Sequence, residues 1–328
     1  MELHQVEAFV MIARTGGFTR AAAALHLSQP AISRRVRLLE HELAAPLFER
    51  IRSGVVLTEA GRLFLPAAEG LLAAMRDARD AVAALHAADR GAVTLALVGT
   101  LASPPLTVAL RAFHERYPGV DLRLRTGLSA EVSALVRRGD AALGLRYGVD
   151  PHPDLLCTTL HHEPMLPVCA PHHRLARARR PTAGSLSAER WITFPSPGAR
   201  GSEPYATAIE PRLAVSGVHP AELVFIDSLT AQKRLVEAGF GLALLPASSI
   251  DEELRTGTLV VVRAPGLQAT VPIVLVQRRR AYLAGAARAV VTLLTPWPGR
   301  GCQGGVSRSS PSRKGRSARG TTTDPSAS

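Results

Sequence analysis

With 328 residues, 46% of them hydrophobic, the chain is long enough for two or three domains with substantial cores. Its formal net charge is +12, yet the first 90 residues carry 11 arginines against 10 carboxylates, so bulk charge does not locate a nucleic-acid surface. No apolar run has the length of a membrane span, the opening MELHQVEAF is unlike a secretory leader, and cysteines 157, 169 and 302 lack metal-ligand or disulfide-framework spacing; a cytoplasmic protein without membrane or metal is expected.

Leu3, Val6, Phe9, Val10 and Ala13 recur at helical spacing, and Gly16-Gly17 ends that helix. Phe18, Ala21, Ala22 and Leu25 form a second apolar helical face, and Ile32, Val36, Leu39 and Leu43 a third. His26 and Leu27 break the pattern between them. Ser28 then stands where an N-cap is wanted, with Gln29 and Pro30 in the first turn, where proline forfeits no intrahelical hydrogen bond. The opposite face of this third helix carries Gln29, Ser33 and Arg37 at steps of four, with Arg34 alongside. Glutamine pairs bidentately with adenine, arginine with guanine and serine with either, while small Ala31 and Pro30 let the helix N-terminus enter a major groove. Arg35 lies off that face, toward phosphate. Pro46, the Ser53-Gly54 turn signal and β-branched Val55-Val56 predict a small hairpin, or wing, from which Arg50 and Arg52 project toward the DNA backbone or a minor groove. A helical pair with a merely solvated charged face would share the bare helix-turn-helix pattern.

More specific is the alanine run before the turn, followed by SQPAIS, Leu39-Glu40, LFER and LTEAG in that order. Together, residues 3–66 resemble the DNA-binding domain of LysR-type transcriptional regulators. The resemblance implies a winged helix-turn-helix over residues 1–58. Ala44 departs from it, since the family often has glycine there, and the entry turn of the wing is the feature affected.

From Thr58, a candidate N-cap, to about Ala88, the residues Phe64, Ala68, Leu71, Met75, Ala78, Val82 and Leu85 alternate spacings of four and three. That heptad seam predicts a linker helix over 59–89 paired with its copy in a second chain; packing against this chain's own later domain is the alternative. Pro66 is expected to bend it.

Residues 91–298 alternate short apolar runs with helical stretches, predicting an α/β domain with a largely parallel sheet. FHERYPGV, Gly139-Asp140 before a strand, LVEAGFGLALLP and GTLVVV are similar to the effector-binding part of the same regulators. This implies two α/β subdomains related in fold to periplasmic binding proteins, one of residues 90–163 with 268–298 and the other of residues 164–267. By the same analogy the chain crosses between them near His162–Pro164 and Gly266–Pro272. Residues 299–328, rich in Gly, Ser, Arg and Pro, read as a disordered basic tail.

In open α/β sheets, ligands sit beyond the carboxyl ends of strands, where helix N-termini favour anions. Thr100, Ser103, Ser129, Arg146, Phe194, Ser196, Asp227 and Ser228 fall at such ends and match, approximately, positions near the inducer cleft of the family. Each hydroxyl is equally a good N-cap. Arg146 would clamp a carboxylate, although a salt bridge to Asp227 has the same sequence signature. The expected effector is a small molecule, a carboxylate or an aromatic.

His161-His162 and His172-His173 are poor metal sites, because neighbours in a strand point to opposite faces. Cys157 and Cys169 read as inert thiols in two strands rather than a redox pair. No nucleophile elbow, phosphate loop or cofactor motif appears, so no catalytic residue and no cofactor is expected. The resulting expectation is an effector-switched transcription regulator that binds an inverted repeat in double-stranded DNA as a homodimer or homotetramer. A ligand-binding protein or an α/β enzyme with an incidental helical N-terminus are the alternatives.

Overall fold

The computed structural model describes residues 1–297 apart from 53, 87–90, 196–202, 204–205 and 284. The tail expected at 299–328 therefore lies outside the described residues, and so does Ser196.

Three helices and a hairpin form the N-terminal part: α1 (Leu3–Thr15), α2 (Phe18–Ala24), α3 (Gln29–Glu42), β1 (Phe48–Ile51) and β2 (Gly54–Leu57). Gly16 closes α1 in the left-handed region, its N–H bonding Ile12 O. Ser28 caps α3, its Oγ accepting from Ala31 N–H at 3.3 Å. Between α2 and α3, His26 takes φ +53, which reverses the chain within a few residues. Phe9 is fully buried at the centre, with the rings of Phe48 and Phe64 each 5.2 Å away. Ile32, Val36 and Leu39 are buried as the periodicity predicts, but Leu43 is exposed because α3 ends there and the chain turns away. Glu40 secures that exit, its Oε1 accepting the N–H groups of Leu47 and Phe48 at 2.8 and 3.3 Å.

Ala44, the departure from the family pattern, sits at φ +51 in the left-handed region, where a Cβ crowds the carbonyl. Ala44→Gly is expected to raise stability by up to about 1 kcal/mol, with glycine's freedom in the unfolded chain offsetting part of the relief. An unchanged or lower denaturation midpoint counts against it.

The linker helix α4 (Glu59–His86) continues through Pro66 as a single element, with Thr58 Oγ accepting from Gly61 N–H at 3.0 Å. It corrects the predicted seam. Phe64 and Ala68 pack, with Leu72, against α1 of the same chain, so the inward face includes part of the heptad set. Leu63, Ala67, Gly70, Leu71, Ala74, Ala78 and Val82 share the opposite face and are exposed. The apolar stripe available to a partner is thus rotated from the one read in the sequence, and keeps only Leu71, Ala78 and Val82 of it among the side chains described.

The α/β part comprises β3 (Gly91–Val98), α5 (Pro104–Arg116), β4 (Val120–Gly127), α6 (Ser129–Arg137), β5 (Leu143–Tyr147), β6 (Leu155–Cys169) and α7 (Ala183–Ser187). It continues with β7 (Arg190–Thr193), α8 (Ala206–Val215), β8 (Glu222–Phe225), α9 (Leu229–Glu237), β9 (Leu242–Pro246) and α10 (Asp251–Thr256), then β10 (Val260–Val261), β11 (Ala269–Arg278) and α11 (Gly285–Leu294). All nine strands join one sheet in the order β4-β3-β5-β11-β6-β9-β7-β8, with β10 on β6. This sheet is mixed, a correction to the largely parallel one expected. β3 runs parallel to β4 and β5, and β7 to β8 and β9, but β11 and β6 at the centre are antiparallel to each other and to their outer neighbours.

β6 runs unbroken from Leu155 to Cys169, and the crossings expected near His162–Pro164 and Gly266–Pro272 fall, the second from Ala269 onward, on the paired strands β6 and β11. Thr270 lies opposite Pro164 and Pro272 opposite His162, and the register shifts at Ile273/Val274. β11 joins β5 through Ile273–Val276, whereas β6 joins β9 through Met165–Val168, so the two parallel wings hang from opposite ends of the central pair. Their strand ends face a common space.

Candidate nucleic-acid interface and ligand cleft

On α3, the core residues Ile32, Val36 and Leu39 leave the other side to solvent. Ser28, Gln29, Pro30, Arg34 and Arg37 are exposed there, and Ala31, Ser33 and Arg35 are half-buried. Gln29 Nε2 donates to Ser33 Oγ at 3.1 Å, and Arg37 Nε to Ser33 O at 3.4 Å, so the three residues at steps of four already touch. The exposed hairpin carries Arg50, whose guanidinium lies 5.5 Å over the Phe18 ring, and Arg52 at its turn. This stacking holds the wing arginine beside the start of α2 and contributes about 0.5–1 kcal/mol at an exposed position.

A cleft of about 780 Å³ opens where loops leave the carboxyl ends of β3, β4, β7, β8 and β9. Thr100, Ser103, Phe194 and Asp227 line it. Of the other predicted ligand residues that are described, Ser129, Arg146 and Ser228 do not. Ser129 is fully buried behind Glu203, to which it donates from Oγ (2.5 Å) and N–H (3.0 Å). Arg146 is also buried, donating to Ser133 Oγ at 2.7 Å and Tyr147 O at 3.1 Å and pairing with Asp150. Neither a ligand clamp nor a bridge to Asp227, it is held beneath α6, and burial of Asp150 is outweighed by hydrogen bonds from Ser133, His152 and Arg146 that hold its carboxyl below the usual range. Ser228 caps α9, accepting from Ala231 N–H at 3.4 Å.

Sequence reading missed Glu203, Lys233 and the acids Asp251, Glu252 and Glu253, all of which line the cleft. Lys233 bonds Ser249 O at 3.0 Å and Glu253 at 2.6 Å. As one of two lysines among 39 cationic side chains, it was the one signal available. Glu203 lies ahead of α8 and reaches Ser129 across 74 positions of sequence.

Burial raises the Glu203 carboxyl from its ordinary 4.5, with the bonds from Ser129 opposing it. A raised native value stabilises the fold fully below 4.5, and that contribution is lost as pH rises through the native value. Glu203→Gln should therefore melt above the wild type near neutral pH, with the gap closing on acidification below the ordinary carboxylate range. A gap that stays constant with pH contradicts this.

Among the described residues no group of His, Cys, Asp and Glu has metal-site geometry, and no helix is long and apolar enough to cross a membrane. Cys157 and Cys169 lie on the same strand, twelve residues or about 40 Å apart, too far to pair. Burial pushes the Cys169 thiol up to about 11, away from the reactive thiolate.

Two family models match in tandem: "Bacterial regulatory helix-turn-helix protein, lysR family" over residues 3–62, and "LysR substrate binding domain" over residues 86–298. The chain belongs to the LysR family of transcriptional regulators. Among relatives, the HTH-type transcriptional regulator CfxR of Cupriavidus necator is 30% identical over 269 residues, covering 81% of this chain and 82% of its own. CbbR of Rhodospirillum rubrum is 30% identical over 295 residues, covering 89% and 95%. Among solved structures, full-length CbnR complexed with its target DNA is 26% identical with a TM-score of 0.60, over 89% of this chain and 98% of that one. Full-length OxyR from Pseudomonas aeruginosa, at 20% identity and a TM-score of 0.67 over 90% and 98%, shares the fold. This LysR-family regulator accordingly combines a DNA-binding helix-turn-helix with an effector-binding α/β domain.

Proposed function

We propose that this regulator acts in the cytoplasm as a dimer, or a pair of dimers, whose two α3 helices enter successive major grooves of an inverted repeat. Residues 1–58 bind DNA, 59–89 pair the chains, and the two subdomains, 90–163 with 268–298 and 164–267, respond to a small molecule. The exposed Gln29–Ser33–Arg37 face beside the hairpin supports this most directly. In that arrangement Gln29, Ser33, Arg34 and Arg37 read base edges, with Ser28, Pro30 and Ala31 at the groove floor, while Arg35, Arg50 and Arg52 meet phosphate. The relatives' names, all of transcriptional regulators, favour this over an enzyme or a plain binding protein.

The ligand expectation narrows. With Arg146 buried elsewhere, the described cleft lining holds Glu203, Asp227, Asp251, Glu252 and Glu253 against Lys233 and Arg255. A carboxylate effector would meet net negative charge there, so an aromatic or hydroxylated molecule against Phe194, Leu128, Thr100 and Ser103 fits better.

Competition binding to the DNA beside its own gene and to a scrambled duplex tests the DNA contacts. Gln29→Ala and Arg34→Ala should each cost about 1–3 kcal/mol on the specific site and little on the scrambled one, whereas Arg50→Ala should weaken both alike. Equal losses on both duplexes for Gln29→Ala and Arg34→Ala overturn the base-reading role.

A further inference from the structure

Helix α6 ends on charge at both extremities, and its two ends touch different parts of the protein. At the N-terminus, buried Ser129 donates to the carboxylate of Glu203, which lines the cleft, and Glu131 accepts Leu128 N–H at 2.8 Å. At the C-terminus, guanidinium groups from elsewhere take the orphan carbonyls: Arg278 of β11 donates to Val136 O at 2.7 Å, and Arg76 of α4 to Arg138 O. Carboxylate at the positive end and guanidinium at the negative end both complement the helix dipole.

Just beyond, Gly139 takes φ +72, and a Cβ there would lie 2.8 Å from Ala73 of α4, so the linker helix and the end of α6 are in close contact. Asp140 then pairs with Arg14 of α1 at 3.2 Å and with Arg138 at 3.0 Å, and Glu69 of α4 takes Arg14 as well, at 3.2 Å. Arg278 adds a pair to Asp77 of α4. The carboxylates of Glu69 and Asp140 are only 10% and 16% exposed, which sets this cluster apart from screened surface pairs.

Between its ends α6 is packed closely on β5. Its Val132 and Val136 would lie 2.8 and 2.9 Å from a Cβ on Gly144 of β5, and nine residues span about 13 Å. We infer that α6 couples the cleft to the DNA-binding part: release of Glu203 from Ser129 lets the helix shift on β5 and loosens the Asp140 ion pairs that hold Arg14 and α1. Contiguous contacts run the whole way, from Glu203 through Ser129, α6 and Asp140 to Arg14. The inference rests on the regulator reading above and adds the route by which the cleft is felt.

Amide hydrogen exchange on the full-length chain tests it, in Glu203→Ala, Asp140→Asn and the double variant. Glu203→Ala should speed exchange at the start of α6 and also at residues 10–17, the end of α1 and the turn after it, by about 2- to 30-fold for a coupling of ordinary size. In the Asp140→Asn background the same change should still speed the start of α6 but leave residues 10–17 unmoved. Ser129→Ala, which removes the hydroxyl arm with little change in volume, should reproduce the pattern if Glu203→Ala folds poorly. A response at α1 that is missing in both backgrounds, or equal in both, overturns the route. Preference of the wild type for its own promoter over scrambled duplex is measured alongside. Its absence overturns the regulator reading and the route together, while an intact preference with an unresponsive α1 overturns the route alone.

Discussion

Replacing Leu71 with glutamate is expected to leave each chain folded and to weaken binding to a two-half-site operator by about 10²- to 10⁴-fold, the avidity that linking two modules provides. Leu71 is 43% exposed on the outward stripe of α4, so in a lone chain the new carboxylate stays solvated and the fold is disturbed by no more than about 0.5 kcal/mol. When two copies of the stripe meet, the same substitution places two like charges against apolar partners, at a desolvation cost that neither can repay. Sedimentation velocity and fluorescence anisotropy on operators with one and two half-sites read the effect. Affinity for a single half-site should change little. A variant that stays dimeric, or that loses both affinities equally, shows that the stripe is not where the chains pair. Leu72→Glu is the contrast: that neighbour is buried against α1, and the charge should unfold the N-terminal part itself.

Phe9→Ala is expected to destabilise the DNA-binding part by about 3–5 kcal/mol, the usual cost of deleting a buried ring. Phe9 is wholly enclosed and meets Phe48 of the hairpin and Phe64 of α4, so one truncation removes the contact that joins α1, the wing and the linker. Loss of the tilted ring pairs adds about 0.5–1.5 kcal/mol. The sheet has its own cores, built on Leu95, Trp191 and Ile273 in one cluster and Val168 and Val236 in another, so its unfolding should be largely spared. Calorimetry should show an early transition that accompanies loss of DNA binding, ahead of a nearly unchanged later one. A loss under 1 kcal/mol, or a uniform shift of the whole profile, contradicts the separation.

How much could be read in advance follows the range of the interactions. The helix-turn-helix, the Ser28 cap, the face of Gln29, Ser33 and Arg37, and the alternation of strands with helices after residue 91 were legible, because each depends on neighbours within one helical turn or one strand repeat. The wing was legible from its turn residues. Tertiary structure alone decided which face of α4 is turned inward, since apolar residues fall on both sides and only contact with α1 chooses between them. It also decided the mixed sheet, because β6 and β11 look alike in sequence whichever direction their partners run. Above all it decided the cleft: Arg146 found Asp150 and Ser133, and Ser129 found Glu203, because a buried charge takes whichever partner the chain path brings within about 3 Å, and no local pattern encodes that choice.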